Sequence, residues 1–193
     1  MNYHYYKSKK MTPWGDVAIP EETVWSSFLE QDVVSFFKSG PARLTLSQGS
    51  LSNVDICGVA ASTILIADNV RWSLEEIEAS GVCFEEVTNV PDQRKWYWLR
   101  VVGVISVDIK NIIGEKQKVC PVTHAVSGFL TFQEKKTKSL IIKGGDDSDF
   151  AMMSNFQTGH RFCSDRIVAL AKKEKWRNWY SANVHGVPYS DWY

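Results

Sequence analysis

Two cysteines and two histidines are the side chains of this 193-residue chain whose types best suit chemistry. Cys120-Pro-Val-Thr-His124 and His160-Arg-Phe-Cys163 together supply the ligand set of a structural zinc site. Their spacings, CxxxH and HxxC, match no common zinc arrangement, and neither cysteine has a second one beside it. A Cys163 nucleophile served by His124 or His160 is a separate reading, which needs an accessible thiol in electropositive surroundings. Buried thiols with ordinary polar histidines are the blander account of the same residues. Asp146, Asp147 and Asp149 follow Gly144-Gly145, but the alternating oxygen ligands, central Gly and distal Glu of a calcium loop are missing, so a solvated acidic turn is expected. Glu75-Glu76 and Glu85-Glu86 are sequence neighbours that point in different directions on a helix or strand, unlike the facing pair that acid–base catalysis needs. No catalytic, metal-binding or cofactor-binding residue is assigned, and the chain is not expected to be an enzyme. A zinc- or thiol-dependent enzyme using Cys120, His124, His160 and Cys163 is the alternative.

The elements that would position these groups are legible from hydrophobic pattern. Ile64 to Val87 and Phe162 to Val184 read as the same unit: an apolar run, an Asp (Asp68, Asp165), an amphipathic helix, and a β-prone return ending at a Val. Asp to Val spans the same number of residues in both. Val70, Leu74 and Ile77 line one face of the first helix, and Ile167, Leu170 and Ala171 one face of the second. Asp68 and Asp165 are expected to cap their helices, with Gly81 and Asn178 at the far ends. Trp96 to Ile109, WYWLRVVGVISVDI, is the strongest β signal and predicts one long central strand with a bulge at Gly103. Tyr3, Tyr5 and Tyr6, followed by lysines, predict a short strand bordered by solvent. Pro20 to Gly40 carries a helical apolar spacing. The fold class is therefore α+β: a mixed or antiparallel sheet with a few packed helices and two loosely similar strand–helix–strand units. One domain over residues 1–193 is expected, with two intimately packed halves, 1–92 and 93–193, as its finer division.

Composition bounds the function class. A 44% hydrophobic fraction at this length buries a real core without disulfide or metal staples. No apolar run approaches the roughly 20 residues that a membrane span needs, which points to a cytoplasmic protein with no membrane partner. Formal net charge is zero, so the molecule as a whole has no field to attract nucleic acid. Charge is nevertheless segregated. Leu51 to Asp92 carries eight acids against Arg71 alone, while Gln93 to Lys143 is basic. Either the two blocks compensate each other, or the acidic block is a docking face for a basic partner. Trp72 lies off the Val70, Leu74, Ile77 stripe, so a partner-binding set of Trp72, Glu75, Glu76, Glu78, Glu85 and Glu86 is expected.

With both units in view, IADNVRWSLEEIEASGVCFEEV and FCSDRIVALAKKEKWRNWYSANV, the chain resembles a family of bacterial immunity proteins of polymorphic toxin systems, long catalogued as a domain of unknown function. The matching residues are Asp149-Phe150-Ala151-Met152-Met153 and Cys163-Ser164-Asp165-Arg166. The return strand Trp179 to Val184 lacks the Phe that the family usually carries there. What the resemblance implies is a non-enzymatic toxin inhibitor that binds a cognate toxin or effector domain by protein–protein interaction.

Overall fold

The computed structural model describes residues 1–9, 14–18, 43–48, 50–60, 63–88, 90–107, 118–119, 126–127, 139, 141–153, 161–185 and 187–188. The helix expected between Pro20 and Gly40, together with Cys120, His124 and His160, lies outside them.

In chain order the first elements are β1 (Tyr3–Ser8), β2 (Trp14–Ala18), β3 (Arg43–Gln48), β4 (Ile56–Ala60) and β5 (Thr63–Ala67). Helix α1 (Asp68–Glu76) leads to β6 (Val82–Val87), β7 (Trp96–Val101) and β8 (Val104–Val107). The short strands β9 (Lys118–Val119) and β10 (Val126–Ser127) precede β11 (Ile142–Gly145), β12 (Phe150–Met153) and β13 (Arg161–Ser164). Helix α2 (Asp165–Lys173) and β14 (Trp179–Asn183) complete the set. The class is α+β. An antiparallel sheet runs in the order β4-β5-β7-β6, and a mixed six-stranded sheet in the order β11-β8-β12-β13-β1-β14, where only β8 and β12 are parallel. Two further pairs, β2 with β3 and β9 with β10, are antiparallel.

The two units are the same structure built twice. In the first, β5 and β6 flank β7, with Ala67 and Val87 both opposite Trp96. In the second, β13 and β14 flank β1, with Ser164 opposite Tyr3 and Asn183 opposite His4. The N-terminal strand thus fills the place that β7 fills in the first unit. Backbone detail repeats as well. Glu78 (φ 52) and Gly81 (φ 74) are left-handed in the first helix-to-strand loop, and Lys175 (φ 54) and Asn178 (φ 69) hold the corresponding positions in the second. The Gly81 carbonyl accepts from Val102 N at 2.9 Å, and the Asn178 carbonyl accepts from Lys9 N at 2.7 Å.

Four sequence expectations are corrected here. Trp96 to Ile109 is not one strand: β7 belongs to the four-stranded sheet and β8 to the six-stranded one, and the chain changes sheets at Val102-Gly103. The tyrosine-rich opening is an interior strand, with Tyr3, Tyr5 and Tyr6 buried, because β13 and β14 cover its two edges. Asp165 is not the cap of α2: Ser164 is, accepting from Ile167 N at 3.4 Å; in α1 the N-cap position is Ala67, which offers no side chain, and among the described residues Asp68 accepts only from the next amide, Asn69 N, at 2.9 Å. The left-handed turns that end the helices fall at Glu78 and Lys175, before Gly81 and Asn178.

One core lies between the two sheets. The inner faces of the two sheets (Ile64, Ile66, Leu99, Tyr6, Phe150, Cys163) and the buried faces of both helices (Val70, Leu74, Ile167, Leu170) form a single cluster. Period-2 alternation sends Leu65 and Trp96 to a second cluster behind the four-stranded sheet, and Tyr5 and Phe162 to a third behind the six-stranded one. Each large side chain fully buried in this way contributes roughly 1.5–3 kcal/mol.

Candidate functional site

Helix α1 has one wholly buried face, where Val70 and Leu74 are at 0% exposure, and this fixes what its other face presents. Trp72 is 61% exposed. Glu75 and Glu76, three and four residues on, lie on the same side of the helix and are exposed, as is Glu78 on the left-handed turn. Arg71 pairs with Glu75 (Nε to Oε1, 2.8 Å) and lays its guanidinium over the Tyr97 ring, 4.5 Å from the centroid. Among the described residues Glu76 and Glu78 form no ion pair.

The six residues expected to bind a partner do not all share a face. Glu86 stands opposite Tyr97, on the side of the sheet that α1 covers, and pairs with Lys95 at 3.3 Å. Glu85 stands opposite Trp98 on the reverse side, half-buried against Arg100 at 3.5 Å. Adjacent strand residues must diverge in this way. The segregated charge blocks compensate in part. Arg94, Lys95 and Arg100 from the basic block pair with Asp55, Asp92, Glu86 and Glu85 of the acidic one.

Two buried acids hold the two units together. Asp55, just before β4, is 4% exposed and reaches into the loop of the second unit, accepting from Arg177 N at 2.9 Å, Arg177 Nε at 3.0 Å and Arg177 Nη2 at 2.6 Å. Arg94 Nη1 donates to it as well, at 3.0 Å. Burial alone would raise the Asp55 carboxyl, but the hydrogen bonds and charge of Arg177, with the Arg94 charge, hold it below its ordinary value. Asp149, in the same position before β12, is 2% exposed and reaches into the loop of the first unit, accepting from Ser80 N at 3.1 Å. It also accepts from Ser164 Oγ at 2.7 Å and Arg166 Nη1 at 3.2 Å. The exchange is reciprocal. An Asp immediately before an apolar run, at the same place in both units, was the signal available in the sequence. It also corrects the acidic turn: Asp146 and Asp147 are exposed, whereas Asp149 is a buried structural acceptor.

A cleft of about 540 Å³ opens beside Asp149, lined among others by Asn2, Ser80, Asp165 and Arg166. Its acids are already engaged, since Asp165 Oδ1 lies 2.5 Å from His4 Nε2 and Arg166 donates to the Ile77 carbonyl as well as to Asp149. The hydrogen bond from His4 holds the Asp165 carboxyl below its ordinary value. Two of the thiols are unlike nucleophiles: burial pushes Cys57 up to about 11 and Cys163 well above the ordinary thiol value. Iodoacetamide applied to the native protein at pH 8 is therefore expected to leave Cys57 and Cys163 unmodified, with peptide mass mapping as the measurement. No group of His, Cys, Asp and Glu among the described residues is arranged to hold a metal ion. No described helix is long and apolar enough to cross a membrane.

No protein-family model matches this chain, and no curated protein matches it at a significant level. Geometry alone therefore ranks the surfaces. The exposed face of α1 stands out because it pairs a large aromatic with carboxylates on a helix whose orientation the core already fixes.

Proposed function

We propose that this chain is a binding protein rather than an enzyme: a bacterial immunity protein that neutralises a cognate toxin in the cytoplasm by occupying its surface. The observation that carries the reading is Trp72, 61% exposed on a helix anchored by Val70 and Leu74. The helix backbone that carries it is already anchored, so binding orders little beyond the side chain, and tryptophan is enriched among residues that dominate interface energy. Glu76 and Glu78, with Glu75 already paired to Arg71, leave the helix and its turn net negative, which suits a basic partner surface and speeds encounter with it. Toxins acting on nucleic acid or on anionic lipid present such surfaces. The resemblance of the two units to an immunity family supports the same conclusion.

Co-expression with the toxin encoded next to this gene is the direct test, with growth rescue and co-purification as readouts; failure of both rejects the reading. Within a complex, Trp72→Ala is expected to weaken affinity by at least about 30-fold, the equivalent of roughly 2 kcal/mol for a hot-spot aromatic. Glu75→Lys with Glu76→Lys should slow association and flatten its salt dependence, while Glu85→Gln, on the reverse side of the sheet, should leave affinity unchanged. Surface plasmon resonance at two salt concentrations separates these outcomes. Stoichiometric zinc in the purified protein would instead favour the metal-dependent alternative.

A further inference from the structure

The duplication supplies an internal control for what the inter-sheet core requires. At four corresponding positions the first unit carries Ile64, Leu99, Ala79 and Val82, while the second carries Arg161, Tyr6, Trp176 and Trp179. The first set packs without any hydrogen-bonding partner. Every member of the second set brings a donor into the same layer. Arg161 is 9% exposed, Tyr6 1% and Trp176 6%, and Tyr6 stacks on Trp179 with ring centroids 4.9 Å apart. Among the described residues, the Tyr6 hydroxyl and the indole nitrogens of Trp176 and Trp179 are buried without a partner and Arg161 has no acidic partner. Register places Arg161 and Tyr6 on one face: β13 and β1 pair with His4 opposite Cys163 and Tyr5 opposite Phe162, and the next step sets Tyr6 against Arg161.

We propose that Arg161 and Tyr6, bordered by Trp176 and Trp179, form a binding site for a small oxyanion, a carboxylate or an inorganic phosphate, between the two sheets. A buried guanidinium without a counter-charge and a buried hydroxyl without a partner are each costly, and the first unit shows that the scaffold does not need them. All four side chains can donate, and donors without an acceptor are the complement of an oxyanion. Arg supplies the planar fork that suits carboxylate and phosphate, with the Tyr hydroxyl as a further donor. Burial lowers the Arg161 pKa from its ordinary value, and no described acid stands against it. This inference does not depend on toxin binding.

The test uses the full chain and thermal unfolding at constant ionic strength, with sodium chloride exchanged stepwise for sodium phosphate or sodium acetate. The wild-type Tm is expected to climb with one of these anions, by about 5 °C at a hundredfold excess over its Kd. Which anion acts identifies the source, phosphate or carboxylate. Arg161→Ile with Tyr6→Leu, the residues of the first unit, should remove the response while keeping or raising the Tm in chloride. Tyr6→Phe, which deletes only the hydroxyl, serves where the double variant does not fold, and should weaken the response several-fold. A wild-type Tm that does not distinguish the oxyanions from chloride overturns the proposal. So does an undiminished response in the foldable variant, which marks an adventitious ion only.

Discussion

Asp55→Ala is expected to destabilise the protein by about 3 kcal/mol, because it removes the acceptor for two guanidinium groups at once. Arg177 and Arg94 both converge on this carboxylate, and the Arg177 backbone amide donates to it as well. Loss of the carboxylate leaves the Arg177 amide and guanidinium without this acceptor at the junction of the two units, while Arg94 keeps Asp92 at 2.8 Å. The estimate stays at the low end of the range for buried pairs because the Arg177 side chain is 48% exposed and can recover water. Urea midpoints measure the effect. The same carboxylate sets a pH dependence whose sign follows from linkage. Its folded pKa lies below the ordinary value of 3.8, so the unfolded chain binds the proton more readily. The stabilisation is fully present above that ordinary value and is lost as pH falls through the lower folded one. Asp92 and Asp146 are also held low in the folded state, each against the opposing effect of its burial. Wild-type stability should therefore decline below about pH 4, and Asp55→Asn should show a shallower decline. An unchanged slope in the variant would remove Asp55 from this account.

Gly81→Ala is expected to cost at least about 3 kcal/mol, placing it among the few substitutions with a named severe mechanism. Two penalties coincide. The backbone at Gly81 is left-handed, with φ at 74°, and an added Cβ would meet the Phe150 carbonyl oxygen at 2.1 Å and the Ser148 Cβ at 2.5 Å. Neither neighbour is the free end of a flexible side chain. The corresponding residue in the second unit makes the comparison sharp. Asn178 has nearly the same φ, 69°, and its side-chain amide donates to the Ile56 carbonyl at 2.8 Å. Asn178→Gly should therefore cost only about 1 kcal/mol, the value of one hydrogen bond, and Gly81→Asn should be as damaging as alanine. Near-ultraviolet circular dichroism and thermal midpoints of the three variants check the asymmetry. Equal tolerance at the two positions would contradict it.

Local pattern in the sequence carried the repeated unit well. Asp68 to Val87 and Asp165 to Val184 could be matched because helix periodicity, turn residues and a β-prone return are all read within about twenty residues. What decided the rest was pairing between distant segments. Nothing near Tyr3 signals that it will be enclosed by β13 and β14, and nothing in the run from Trp96 to Ile109 marks the change of sheet except Gly103, whose ideal Cβ would meet the Phe150 carbonyl at 2.2 Å. The α1 face was legible as far as Trp72, Glu75 and Glu76, since helical spacing alone puts them off the buried stripe. Glu85 was not separable from Glu86 until the strand's faces were known. Asp55 and Asp149 share a place before an apolar run, but their burial, like that of the donors around Arg161, was not legible for a different reason: a charged residue in sequence reads as surface, and only its partners reveal that it lies inside.

The place of β1 also sets the order in which the molecule can be completed. Strands β4 to β7 and α1 are contiguous in the chain, so the first unit can close as soon as its own residues leave the ribosome. The second unit is sealed by a strand from the opposite end of the sequence: His4 meets Asp165 across 161 residues. That closure carries a large loop entropy and a high contact order, which slows it relative to the first. During synthesis the tyrosines of β1 must therefore wait, exposed, until α2 and β14 exist. A pulse-labelled nascent chain should show protection in the first unit well before any in β1.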